Sequence, residues 1–206
     1  RSSDLDQKFL QEEARKFLEK EQALNRNRSV LETDNKFDED LWEKIVELGW
    51  TGIRIPEDYG GLGLGHLELC VIAEELGRFL APVPYSSSVY LFTEAIINYG
   101  TDEIKKDILP KLVSGEIVGT LGVTEELHAP TKDNINLVYA DGKINGKKIA
   151  VPDAGVATHA IVVAKSDKGI SLQLVDLSTT GVTVEHQENI DESRGHFSIT
   201  FDGVDT

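Results

Sequence analysis

Methionine is absent from the 206 residues, and cysteine occurs once, at Cys70. A single thiol excludes an internal disulfide framework and suits a reducing compartment, so the cytoplasm is the expected location. Basic residues are scarce: 21 lysines and arginines against 36 acids leave a net charge of -15. So acidic a chain repels a nucleic-acid backbone and an anionic membrane surface, and no Lys/Arg stripe overrides the repulsion. Neither is an expected partner. Long apolar runs are missing too: AIVVA, residues 160–164, is among the longest, whereas a bilayer span needs about 20 such residues. The stretch RSSDLDQKFL has no basic segment leading into an apolar one, so no secretory signal is expected in it. Low-complexity tracts and internal repeats are lacking as well.

What is present changes its period halfway along. In the first part, SSDLDQKFLQEEARKFLEK places Leu10, Ala14, Phe17 and Leu18 on one helical face, with Ser3 and Asp6 in capping-box spacing. FDEDLWEKIVELGW predicts a helix capped by Asp38, stapled by Phe37 and Trp42, and closed by a left-handed Gly49. LELCVIAEELGRFL gives a stripe of Leu69, Ile72, Ala73, Leu76 and Leu80. Further helices are expected before Gly100 and from a Thr101 cap onward, with Pro110 resetting the chain. From Ile117 on come short β-rich runs: IVGTLGVT, INLVYA, KKIAV, HAIVVAK, ISLQLVDL, GVTVEH and HFSITF. Turn signals separate them at Asp141-Gly142, Asn145-Gly146, Lys168-Gly169 and Thr180-Gly181. Helices first and strands afterwards predict an α+β chain. Residues 1–116 form an all-helical domain, and residues 117–206 an antiparallel β-barrel or sandwich-like domain.

The stretch PEDYGGLGLGHLELC, residues 56–70, concentrates glycines ahead of a helix. Gly61 and Gly63 supply G-x-G, but the third glycine of a dinucleotide fingerprint is replaced by His66, and no Gly-Lys-Ser/Thr follows. Two acids nearby would repel phosphate. The glycines are therefore read as permitting tight turns and close helix packing.

FDEDLWEKIVELGWTGIRIPEDYGGLGLGHLELCVIAEELGR closely resembles the N-terminal helical domain of acyl-CoA dehydrogenases. GTDEIKKDILPKLVSGEIVGTLGVTEE is similar to that family's passage into its flavin-binding β-domain, and DGKINGKKIAVPDAGVATHAIVVAK to a later hairpin region. The three blocks lie in family order over nearly the whole chain. The resemblance implies an FAD-dependent oxidoreductase that removes hydrogen from Cα and Cβ of an acyl-CoA thioester. It further implies an electron-transferring flavoprotein as acceptor, and assembly into a homo- or hetero-oligomer. It assigns flavin contacts to Val123 and Thr124, from the family's V-T-E segment, and to Val151, the middle residue of its W-I-T strand.

Three positions depart from the family pattern. Glu126 replaces a proline and no Gly-Ser-Asp follows it, while Ala150 and Pro152 replace the tryptophan and threonine around Val151. Proline offers neither a hydroxyl nor an amide hydrogen. These departures leave open a second reading, a non-catalytic subunit of the same fold that supports an active partner. The family's base is a glutamate in a C-terminal helical bundle with no counterpart in these residues, so no catalytic residue is assigned. Glu74 and Glu75 are read as solvated helix-face residues, Glu125 has no acid-base task, and Cys70 is read as core. The five histidines are scattered, so no metal site is expected. PVPYSSSVYL, residues 82–91, either lines an acyl channel or forms a loop whose serine caps the next helix; the cap is favoured.

Overall fold

A computed structural model describes residues 3–206, with side chains from Leu5 onward. Helix α1 (Ser3–Lys20) buries Ala14 and Leu18 and half-covers Leu10 and Phe17, the stripe its periodicity predicts. The proposed Ser3 cap lies outside the described side chains. Helix α2 (Ala23–Val30) follows a left-handed Gln22. In helix α3 (Glu39–Glu47), the Asp38 carboxylate caps the first turn by accepting the Leu41 amide at 2.9 Å, and Gly49 turns the chain out at φ 74°.

Helix α4 (His66–Arg78) runs alongside α1 in the same direction. Gln7 donates to Glu68, and eight residues on Arg15 forks onto Glu75, with Nε and Nη2 at 3.0 and 2.6 Å from its two oxygens. Glu75 is therefore no solvated residue. It is fully buried, and its carboxyl is held below the usual range, chiefly by the Arg15 hydrogen bonds. Cys70 departs from expectation in the other direction: it is exposed, because the buried face of α4 runs through Leu69, Ile72 and Leu76. Leu80 is exposed too, since the helix has ended two residues earlier.

The glycine stretch folds back on the residues before it. Leu62, Gly63 and Leu64 donate their amides to the carbonyls of Gly52, Ile55 and Ile53, each at 2.9 Å. A Cβ on Gly61 would stand 2.1 Å from the Ile55 carbonyl oxygen. This is backbone meeting backbone, so nothing flexible can yield. The Gly61→Ala variant should lose about 2–3 kcal/mol of stability in urea unfolding, whereas Gly60→Ala, with open space beside it, should lose only the cost of its positive φ, about 1 kcal/mol.

Residues 86–93 differ from expectation. Ser86–Thr93 winds as a π-helix with no serine cap at its start. The Thr93 hydroxyl bonds the Ser88 carbonyl five residues back at 2.8 Å, matching the wider π spacing. Helices α5 (Glu94–Tyr99) and α6 (Asp102–Val113) follow, with Thr101 capping α6 as predicted. Pro110 does not reset the chain. It lies in the last turn of α6, where one lost amide is outweighed by burial of Leu109 and Leu112.

Seven strands follow: β1 (Gly119–Gly122), β2 (Val138–Ala140), β3 (Lys143–Pro152), β4 (His159–Ser166), β5 (Gly169–Asp176), β6 (Val182–Gln187) and β7 (His196–Asp205). The sheet is mixed rather than antiparallel throughout. Strands β1 and β2 both run parallel to β4 on one of its edges, Gly119 facing His159 and Val138 facing Lys165. Strand β5 pairs antiparallel on the other edge, and β3, β7 and β6 continue the sheet beyond β2. Residues 123–137 are therefore a detour between two pieces of one edge. Asp141 and Gly142, both at positive φ, make the predicted hairpin, whereas Gly146 sits at an irregularity inside β3 instead of a turn.

Strand β4 distributes its residues by period two. Ala160, Val162 and Ala164 face the inner core of the sheet with Phe197, Ile199 and Phe201. Ile161 faces the helices, packing with Phe92, Ile96, Ile108 and Leu112. Helix and sheet approach closely at Gly119, whose amide donates to the Ser88 hydroxyl at 3.2 Å while the Phe92 ring covers its Cα.

Candidate functional site

The docking of the π-helical segment on the sheet leaves a cavity of about 220 Å³ at the seam. Ala73, Leu76 and Gly77 of α4 form one wall, and Val83, Tyr85, Ser86 and Tyr90 another. The segment 82–91 therefore lines a cavity and caps nothing. On the sheet side stand Asp153, just after β3, and Arg194, just before β7. Asp153 Oδ2 accepts the Ser87 hydroxyl at 2.6 Å and the Arg194 guanidinium, and Arg194 also donates to the Ser86 hydroxyl. The carboxylate and guanidinium thus neutralise each other on the sheet side, and their bonds to Ser87 and Ser86 cross the seam and anchor the π-helical segment. Tyr85 is buried and donates its hydroxyl to the Trp50 carbonyl at 2.8 Å. Burial pushes the Tyr90 hydroxyl up as well, so it is a neutral donor throughout the physiological range.

The detour after β1 is pinned by a second buried pair. Lys148 of β3 is fully buried, and its ammonium reaches Glu125 Oε1 at 2.6 Å and the Val123 carbonyl at 3.1 Å. The same carboxylate accepts the amides of Asn136 and Leu137 at 2.6 and 3.0 Å, which closes the detour on itself. Burial pushes the Glu125 carboxyl up, but Lys148 and the two amides more than offset this and hold it below the ordinary range. Glu125 is therefore a clasp, with both carboxylate oxygens engaged by the lysine and the two amides.

Val123, Thr124 and Val151 are brought near one another by the β1–β3 contact, but none of them lines the seam cavity. The Thr124 carbonyl accepts the Ile149 amide at 2.8 Å, while its hydroxyl and the amides of Thr124 and Glu125 form no hydrogen bond among the described residues. Those free donors suit the polar edge of a flavin ring, where negative charge must be received. Val151 is 1% exposed and fills the inner core of the sheet, so its side chain supports the strand from beneath. The neighbouring groups are already engaged: the Ala150 amide bonds Gln187 at 2.8 Å, and the Pro152 carbonyl accepts the Thr120 hydroxyl at 2.6 Å. Residues 126–133 are exposed and carry no Gly-Ser pair for a diphosphate. The donors fit a flavin edge, whereas the ring face and the diphosphate meet no dedicated group in these residues.

Sequence reasoning missed Lys148, Arg194 and Asn27. A lysine alternating with apolar residues in KKIAV was the available signal for the first. Arg194 and Asn27 carry no local signal, because their partners lie far away in the chain. Among the described residues, no helix is long and apolar enough to cross a membrane.

Residues 4–116 match the family described as acyl-CoA dehydrogenase, N-terminal domain. Isovaleryl-CoA dehydrogenase, mitochondrial, from Solanum tuberosum is 33% identical over 164 residues, covering 73% of this chain and 40% of that protein. Among solved structures, the Tcur3481–Tcur3483 steroid ACAD superposes with a TM-score of 0.84 at 31% identity, over 98% of this chain and 56% of that one. Butyryl-CoA dehydrogenase from Megasphaera elsdenii gives a TM-score of 0.81 at 28% identity, over 96% and 56%. The chain spans about half the length of these relatives. With its helical half matched by profile and both halves matched in fold, the chain belongs to the acyl-CoA dehydrogenase family.

Proposed function

We propose that this chain supplies the helical domain (residues 1–116) and the β-domain (residues 117–206) of a flavin-dependent acyl-CoA dehydrogenase. The seam cavity carries the reading: a mostly apolar recess of about 220 Å³, closed on the sheet side by a charge pair already neutralised, suits an uncharged acyl group. Bound FAD would supply the acceptor for the hydride that leaves Cβ. The Thr124 hydroxyl and the amides of Thr124 and Glu125 would hold the polar edge of the flavin. Val123 would act through the backbone that Lys148 steadies, and Val151 by supporting the strand. The base that takes the α-proton lies outside these residues. An electron-transferring flavoprotein is the proposed acceptor, and a homo- or hetero-oligomer the proposed assembly. The test is optical: the native protein should carry stoichiometric flavin absorbance that bleaches when an acyl-CoA is added anaerobically.

A second reading is favoured by Ala150 and Pro152, which offer a flavin neither an aromatic face nor a hydroxyl. The chain would then be a non-catalytic subunit supporting a flavin-bearing partner. A colourless protein that stays colourless with added FAD, while a co-purified partner holds the pigment, would establish this reading over the first.

A further inference from the structure

The seam cavity contains a polar feature that an unsubstituted acyl chain would not use. Asn27 of α2 is only 5% exposed and lines the cavity, yet its side-chain amide forms no hydrogen bond among the described residues. The Tyr90 hydroxyl, on the opposite wall, is likewise without a hydrogen-bond partner among them. Neither group is sealed from the cavity, the Trp42 indole nitrogen being the one sealed side-chain polar atom without a partner among the described residues, so whatever fills the cavity must meet the Asn27 amide and the Tyr90 hydroxyl. Open to the cavity, both groups are accessible to water when no ligand is bound. A plain alkyl chain that displaces this water would strand an amide donor, an amide acceptor and a hydroxyl at once.

From this geometry we infer that the acyl group received here carries a neutral hydrogen-bonding substituent, a ketone or a hydroxyl, bound by Asn27 and Tyr90. The inference rests on the acyl-CoA reading of the cavity and narrows its substrate class. A carboxylate is disfavoured by the surrounding charge. Arg194 is committed to Asp153 and Ser86, and Lys36 donates to the Leu31 carbonyl. The groove on their other side is lined by Glu32, Glu188, Asp191 and Glu192. Asn27 suits a ketone through its NH₂ group, and a hydroxyl through either end of the amide. The Tyr90 hydroxyl donates to either.

The probes are octanoyl-CoA and its 5-, 6- and 7-oxo derivatives, titrated calorimetrically into the native protein with whatever subunits accompany it. At least one oxo derivative should bind about tenfold more tightly than octanoyl-CoA, the size expected when a buried polar pair is matched rather than stranded. Asn27→Leu, which keeps the branched shape and removes both polar ends, should abolish this preference while octanoyl-CoA still binds. Tyr90→Phe, which removes one oxygen atom, should reduce the preference without removing it. If octanoyl-CoA binds as tightly as every oxo derivative, or if Asn27→Leu keeps the preference, the inference is overturned. If no thioester binds at all, the acyl-CoA reading itself has failed, and this inference with it.

Discussion

Replacing Glu125 by alanine should lower the unfolding free energy by about 3–5 kcal/mol, because it strands a fully buried lysine together with two amides. The same substitution at Glu185 should leave the urea midpoint nearly unchanged. Glu185 also faces a lysine, Lys147 at 3.4 Å, but both side chains are about half exposed and water screens the pair. The contrast isolates burial as the cause. Replacing both members, with Glu125→Leu and Lys148→Met, should recover much of the loss by removing both charges together. Recovery stays incomplete because Asn136 and Leu137 still lose their acceptor. The sign of the pH dependence follows from the carboxyl. Its folded-state value is depressed, so its contribution is present above the ordinary carboxylate range and is lost as pH falls through the lower folded value. Glu125→Gln has no carboxyl to titrate, so its stability deficit against the parent, followed by urea unfolding at stepped pH, should be largest near neutrality and shrink as pH falls through that range. Equal denaturation curves for Glu125→Ala and Glu185→Ala would show that the clasp is not what holds the detour.

The second large effect lies at Gly119. A Cβ there would stand 2.1 Å from Cγ of Phe92 and 2.3 Å from Cδ1, and Phe92 is completely buried between α5, α6 and the sheet. The ring has no free volume to enter, so Gly119→Val forces the π-helical segment away from β1. The expected loss is about 3 kcal/mol, or a fall in Tm of about 6–12 °C for a domain of this size. Because Tyr85, Ser86 and Tyr90 move with the displaced segment, the variant should also lose the thioester binding proposed for the seam cavity, at temperatures where it remains folded. A second change, Phe92→Leu, should restore part of the melting temperature of Gly119→Val, although alone it destabilises. A Tm for Gly119→Val within 2 °C of the parent, on the same scale of about 2–4 °C per kcal/mol, would refute the close approach.

Much of the fold was legible because its signals are local. Asp38 before an acidic first turn, Thr101 before α6, Gly49 after α3 and Asp141-Gly142 between two β-rich runs each depend on neighbours within four residues. Long-range features were not legible. Glu75 reads as a surface residue until Arg15, sixty residues away, is laid beside it. The parallel pairing of β1 and β2 with β4 leaves no mark on any of the three strands, since period-two alternation is blind to direction. Pro110 and the serine run misled for a related reason: propensity is a weak prior, and burial on the sheet overrode it. The proposed flavin contact at Thr124 comes from the resemblance. The seam cavity and the Glu125–Lys148 clasp emerged only when strands met helices.

The detour between β1 and β2 separates two properties that loops normally trade against each other. Its two ends are stitched to β3 by Glu125, Lys148 and the Thr124 carbonyl, while residues 126–133 between them lie in solvent. Selection can lengthen, shorten or recharge that tip without altering the register of either strand. This chain thus has a segment whose length and charge are uncoupled from whether the scaffold folds.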